Sequence, residues 1–473
     1  MTDLYRWPAL GVLLALLLAT AGEAIAQEKR AYKGPFVVSG IVYEGNKVTK
    51  EVVMVRELTF QEGDTLTSEQ LYTRIERSKQ NLYNLSLFNL VIITPTYLGE
   101  HEVFITVTVN ERWYWWPEPI FKIADPNFNT WWLTRDFRRV NWGTYLTRRN
   151  FRGLDQTLYI KFQLGYTREF GLRYRIPFVD QRQRWGVSLG GGYAEQNETT
   201  VGTVDNKRVF IRDDLSVVRS EWRVQGQATL RPAFDIRHHF RLGYVNAVAR
   251  DTLLNSTSDY FHASASRTSY VTAGYTMMLD LRDSRAFSTD GWMVQGSIDR
   301  LGLGVLGHNE PAVTLLDGTY QHQWRTSRRW SFGGQVRGRV TLGGDIPYYN
   351  QQGLGYDDYV RGYEYYVIDG QHYGLFRGNA LFAIIVPRDY YVHPIPLESF
   401  RTVHVAVYVN AFVDAGYVWD RYYAEQNFLD NTPMSGGGLG LDLVSSYDQV
   451  ARFEYSINAL GETGFYLHFM QPF

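Results

Sequence analysis

The segment Thr402–Asp420, TVHVAVYVNAFVDAGYVWD, alternates along most of its length. Val403, Val405, Val407, Val409, Ala411 and Val413 share one face of an extended chain. His404, Ala406, Tyr408, Asn410, Phe412 and Asp414 share the other. Successive side chains of a strand point to opposite faces, so the first set meets an apolar medium and the second a polar one. A soluble sandwich gives the same pattern, and one strand does not separate the two cases. An apolar face about ten residues long, opposite a mixed polar face, is also what a membrane-spanning strand needs, with lipid outside and a polar lumen inside.

Repetition decides between them. From residue 113 to the end, sixteen segments carry this alternation, and bacterial outer-membrane barrels have even strand numbers. If the first strand starts at the periplasmic end, the connections at 198–216, 251–265, 343–373 and 419–434 fall outside the cell. The turns RTSRR (325–329) and SSYD (445–448) fall inside, with RDYYVHPIPLESF (388–400) as a longer exception. Short inner turns and long outer loops are the barrel asymmetry. A further strand near residue 204 is read as a hairpin extension within an outer loop. RWYWWPEP, TWW and DYYVHP cluster at strand ends, where amphipathic rings sit at headgroup level.

Upstream the grammar changes. Arg6 precedes the apolar run ALGVLLALLLATAG, and AIA at Ala24–Ala26 has the form of a signal-peptide cleavage site. Residues 1–26 therefore read as a secretory signal. Between 35 and 112 the order is β-α-α-β-β: FVVSGIVYEGN, TKEVVMVREL, a helix opened by Thr67-x-x-Gln70, then LVIITPTYL and EVFITVTVNE. The fold class is mainly β, one small α+β domain (35–112) followed by a sixteen-stranded transmembrane antiparallel barrel (113–473).

A net charge of −1 gives no footprint for nucleic acid. The absence of cysteine excludes disulfides and thiolate metal sites. GGGLG lacks the Lys-Ser/Thr of a phosphate loop. His238 and His239 have no third ligand near in sequence, and no nucleophile–base spacing is present. The expectation is a protein with no catalytic residues, no metal and no cofactor.

The long connection 343–373 contains YDDYVRGYEYY, Tyr356–Tyr366. Arginine offers five donors in a rigid fork that matches a carboxylate. Parity places Asp414 in the lumen, so the loop is expected to tuck inward and pair Arg361 with it. Gly362 would let the backbone approach closely, Tyr363 would pack alongside, and Tyr359 or Tyr365 would stack on the guanidinium. Asp442 and Glu454, lumen-facing by parity, are the further candidate carboxylates. On the last strand, Phe465, Leu467, Phe469 and Phe473 share the outer face. Gly461 and Gly464 lie where that strand begins and weaken its pairing, so the seam with the first strand is a place to open.

A single β-α-α-β-β module before such a barrel resembles the BamA/TamA superfamily of outer-membrane assembly and translocation factors, also called bacterial surface antigens. The resemblance is to a short form with one polypeptide-transport-associated (POTRA) domain. FVVSGIVYEGNKVT, LYNLSLF and VFITVTVNE match the POTRA module. VRGY at Val360–Tyr363 matches the sixth-loop signature, and FVDAGYVWD at Phe412–Asp420, with Asp414 and Gly416, matches the thirteenth strand. GGGLGLDL and the terminal FMQPF fit the fourteenth and last strands. The resemblance implies a protein of the Gram-negative outer membrane, in contact with its lipid, with POTRA in the periplasm. Its partners would be unfolded outer-membrane or exported polypeptides, with room for accessory periplasmic factors. Clients would bind at POTRA and at the lateral seam between the first and last strands, with Phe473 also a terminal insertion signal. The alternative is a dedicated secretion pore of the two-partner type. One departure stands out: the family's twelfth strand carries an inward acid four residues before its proline, and here Ala383 precedes Pro387.

Overall fold

The computed structural model describes residues 34–123, 135, 137–213, 215–255, 260–261, 265–307, 310–344, 346–422 and 424–470. The signal segment 1–26, the TWW cluster and Phe473 lie outside them.

The chain forms two compact units. The smaller takes in the described residues up to Glu44 with Leu58–Lys79 and Ile92–Thr108. Strands β1 (Phe36–Glu44), β2 (Thr65–Leu66), β3 (Phe88–Tyr97) and β4 (Glu102–Glu111) form a sheet in the order β2-β1-β4-β3, with β1 parallel to β4. Alternation sets the core: Val103, Ile105 and Val107 of β4 are buried with Phe36 and Val38 of β1. A short helix α1 (Glu51–Val55) precedes helix α2 (Ser68–Tyr83). The start of α2 is fixed by the reciprocal pair read from the sequence. Thr67 N donates to Gln70 Oε1 at 3.0 Å, and Gln70 N donates to Thr67 Oγ1 at 3.2 Å. Leu71 and Ile75, one helical turn apart, enter the core. The two-residue strand β2 is an addition to the expected order; it is too short to carry a period.

The larger unit comprises Gly45–Glu57, Gln80–Val91 and the chain from Val109 onward. Its sixteen-stranded sheet consists of β5 (Trp115–Ile123), β6 (Val140–Phe151), β7 (Gln156–Gly165), β8 (Thr167–Ile176), β9 (Trp185–Gln196), β12 (Arg219–Leu230), β13 (Ile236–Ala249), β14 (Arg267–Asp280), β15 (Gly291–Leu301), β16 (Val313–Arg325), β17 (Trp330–Leu342), β18 (His372–Tyr391), β19 (Thr402–Trp419), β20 (Met434–Ser445), β21 (Val450–Asn458) and β22 (Thr463–Met470). Each strand pairs antiparallel with the next, and β5 and β22 end the order. All sixteen fall where the alternation put them. The strand near 204 is a separate hairpin, β10 (Glu198–Val204) and β11 (Lys207–Arg212), outside the barrel sheet.

On β19 the two faces divide as read. Tyr408, Asn410, Phe412 and Asp414 are buried, whereas Val409 and Val413 are exposed on the outer face. Phe465, Leu467 and Phe469 of β22 likewise face outward. An outer wall of this composition is stable only in an apolar medium.

Within the larger unit two short turns are anchored by ion pairs, one on a buried carboxylate and one on a half-buried one. Arg231, in the β12–β13 turn, grips Glu57 with both Nη atoms at 2.6 and 2.8 Å, and Arg56 Nε adds a third contact at 2.8 Å. Arg112 holds Asp448, in the β20–β21 turn, at 2.7 and 3.1 Å, and Ser86 Oγ donates to the same carboxylate at 2.7 Å. Burial alone would raise the Glu57 pKa, but Arg231 and Arg56 outweigh it and hold it below the ordinary value. The same competition, won by Arg112 and Ser86, depresses Asp448. Depressed carboxylates contribute stability above their unfolded pKa and lose it as pH falls through the folded one. Glu57→Gln should therefore cost about 3 kcal/mol near neutral pH, because it breaks a buried pair. Tryptophan-monitored unfolding between pH 7 and 3 checks this: the variant should lose less stability on acidification than the parent.

Candidate functional site

The loop between β17 and β18 folds into the lumen. A bridge pairs Leu354 with Ile368, and Gly355 N donates to Asp358 O at 2.6 Å, so the intervening chain forms a closed turn. Leu354, Val360, Tyr363, Tyr366 and Ile368 bury themselves against Tyr373, Leu375 and Val418 of the wall, with Leu429 and Met434. This apolar packing brings Arg361 to the inner faces of the strands.

The Arg361 side chain is only 4% exposed. Its Nη2 lies 2.5 Å from Asp414 Oδ1 and its Nε 2.9 Å from Oδ2, the bidentate pair predicted from parity. Its backbone N also donates to Oδ2, at 3.1 Å. Nη1 reaches Glu454 Oε1 at 3.2 Å and Asn379 Oδ1 at 3.0 Å, and Nη2 reaches the Gly378 carbonyl at 3.4 Å. A buried guanidinium is tolerable only when its charge and all its donors are met, and here every nitrogen has an acceptor.

Three expectations are corrected. The ring under the guanidinium is Phe412, 4.0 Å from Cζ to the centroid. Tyr359 instead lies beneath Arg377, and Tyr365 packs on Tyr466. Asp442 does not touch Arg361; Arg452 takes it at 2.6 and 3.1 Å. Nor is the twelfth strand without a contribution. Ala383 pairs with Tyr408 and lies in an apolar cluster with Leu381 and Ala406. The partner that strand supplies is Asn379, paired in register with Phe412 and so level with the arginine. A neutral amide there leaves one buried cation facing two carboxylates rather than three.

Backbone fit completes the latch. Gly362 has φ of +95°, a left-handed conformation suited to glycine, and its carbonyl accepts from Asn458 Nδ2 at 2.8 Å. A Cβ at Gly436 would overlap the Arg361 carbonyl oxygen, and one at Gly416 would press on Val360. Gly436 belongs to the glycine run that matched no phosphate loop; its purpose is close approach of the sixth loop.

The loop also grips the last hairpin. Tyr366 Oη donates to Glu462 Oε1 at 2.7 Å, and Tyr359 Oη lies 3.3 Å from His468 Nδ1. Gly461 serves the β21–β22 turn with φ of +80°, and Gly464 leaves room for the Tyr466 ring.

A second layer lies over the first. Asn206, at the tip of the β10–β11 hairpin, is fully buried. Its N and Nδ2 donate to Asn427 Oδ1 and Asp430 Oδ1 at 2.7 and 2.9 Å, and its Oδ1 accepts from Leu429 N at 2.9 Å. Val367 N of the sixth loop donates to its carbonyl at 2.9 Å, and Thr203 Oγ1 donates to Asp369 at 2.9 Å. Burial pushes Asp430 up to about 7 against the lowering effect of the Asn206 bond, with Asp420 and Asp369 adding to the rise. The sequence showed a hairpin here but not its docking, because Asn206 reads locally as an ordinary turn residue.

With the geometry in place, comparison with known proteins is direct. The model of the Omp85 superfamily domain matches residues 150–462, and that of the surface antigen variable number repeat, a POTRA module, matches residues 36–112. No curated protein matches the chain. BamA from Haemophilus ducreyi lacking POTRA domains 1–3 superposes with a TM-score of 0.52 at 14% identity, over 92% of this chain and 85% of that one. CdiB from Escherichia coli does so with a TM-score of 0.55 at 13% identity, over 92% and 76%. At these identities the likeness speaks for the fold. The two family models account for both parts of the described chain, and the protein belongs to the Omp85 superfamily.

Proposed function

We propose that this protein assembles or translocates polypeptides at the Gram-negative outer membrane, taking unfolded clients through its periplasmic POTRA module and a lateral seam between β5 and β22. A role in outer-membrane protein assembly or polypeptide translocation goes with the superfamily; the client route is our reading. The observation that carries it is the latched sixth loop. A lumen occupied by Arg361 and its buried shell favours a path through the wall over a path down the axis. Edge strands present unpaired backbone groups to an incoming chain, and in the POTRA sheet β2 and β3 occupy the edges. Client strands adding at such edges would gain their hydrogen bonds from the protein, and folding into lipid would supply the driving force without a nucleotide.

The chain contains no cysteine, so an introduced pair across β5 and β22 would be unique. Oxidation of that pair should abolish assembly of clients, and reduction should restore it. Undiminished transport with the seam closed would sink the lateral route and favour the dedicated two-partner pore, for which the fold likeness to CdiB is the supporting observation.

A further inference from the structure

At the loop end of the barrel, beneath the β10–β11 hairpin, lies a cavity of about 460 Å³. Four arginines and six tyrosines line it, and none of the lining residues is acidic. Two carboxylates stand beside the arginines on the inner face of the wall. Glu221 pairs with both Arg219 and Arg223, and Asp317 pairs with Arg339 at 2.8 Å. The fourth cation, Arg208 on β11, lies over the Tyr356 ring at 5.0 Å. The nearby Asp369 takes its hydrogen bonds from Tyr356 and Thr203 and is attracted to Arg208 only through space. The Nε atoms of Arg208 and Arg219 are buried without a hydrogen-bond partner. Arg219 lies over Tyr349 at 4.6 Å, so two guanidinium–tyrosine stacks face one space.

We infer that this chamber binds an oxyanion carried on a sugar-sized ring. Four guanidinium groups around one space repel one another, and a phosphate or carboxylate meets an arginine fork with charge-assisted bonds. Flat tyrosine faces suit the apolar face of a sugar ring, and the volume falls in the range of small-molecule sites. The surplus of cations selects against neutral sugars. The ligand would join β11 to β12 and β17 of the wall and to Tyr349 and Tyr356 of the sixth loop, holding the hairpin down over the lumen. This assignment stands apart from the client route.

Calorimetry on the full-length protein in detergent tests it, with glucose 1-phosphate, glucuronate, glucose and inorganic phosphate as probes. Both sugar anions should bind saturably, glucose should not, and phosphate alone should bind at least tenfold more weakly. Arg208→Gln should weaken the sugar anions tenfold or more, and Arg208→Lys, which keeps charge but not the fork, by less. Folding of each variant is checked by its heat-dependent electrophoretic mobility. A second readout is protection of residues 198–212 from protease by glucose 1-phosphate. Absence of saturable binding, or equal affinity in folded Arg208→Gln, would overturn the site; phosphate binding as tightly as the sugar phosphate would overturn the ring component.

Discussion

Arg361→Ala is expected to leave the barrel in the membrane and to release the sixth loop from the lumen. The outer apolar wall does not depend on Arg361, so insertion persists. Inside, the substitution strips Asp414 and Glu454 of their shared cation while both remain buried. Breaking a buried ion pair by removing one partner costs about 3–5 kcal/mol. The buried Val360, Tyr363 and Tyr366 oppose expulsion, but they are seated around the arginine and do not replace its charge. Limited proteolysis should cut within 343–371 in the variant and not in the parent, and client assembly should fall together with protection. Arg361→Lys should give an intermediate result, since a point charge serves one carboxylate but not the fork. A loop as resistant as the parent's would remove the latch from the mechanism.

Gly436→Ala should produce the same released loop without altering any charge. A methyl group at this position overlaps the carbonyl oxygen of Arg361, and neither the strand backbone nor the turn has a flexible end to give way. Overpacking a fitted interior costs about 1–3 kcal/mol, and here the strain falls on the latch itself. The expected outcome is protease cleavage in 343–371 with the heat-dependent mobility of a folded barrel. If Gly436→Ala frees the loop and also abolishes client assembly, loop seating is the functional variable rather than the arginine's charge. A protected loop in this variant would show that the Arg361 carbonyl can shift to admit a side chain while the loop stays seated.

Strand faces were legible in the sequence because period two is strict: Asp414, Glu454 and Asp442 all point inward as their parity required. Height along the barrel was not legible. A residue's level is set by the register of each antiparallel pair, which alternation does not encode. Asp442 and Glu454 look equivalent by parity, yet Arg452 sits opposite Asp442 in register and claims it. The family's spacing to Pro387 pointed to Ala383, where the usual acid is missing, whereas the partner that strand supplies is Asn379, level with Phe412. Phe412 was assigned to the lumen, but only the approach of the loop reveals that its ring carries the guanidinium. The role of Gly436 was not legible in its glycine run, because it lies in a contact with Arg361, 75 residues away in sequence, which local pattern cannot report. The docking of Asn206 was hidden for the same reason.

Arg361 also bears on the order in which the molecule comes together. Its partners Asn379, Asp414 and Glu454 lie 18, 53 and 93 residues downstream. All belong to β18, β19 and β21, and Asn458, which holds Gly362, follows on β21. The carboxyl-terminal third thus contains its own lining: once these consecutive strands have paired, the cation is neutralised and the loop seated. Closing such loops costs little more entropy than closing shorter ones, since that cost grows only logarithmically with length. The two ends of the chain can then meet last, with no buried charge left waiting on their encounter.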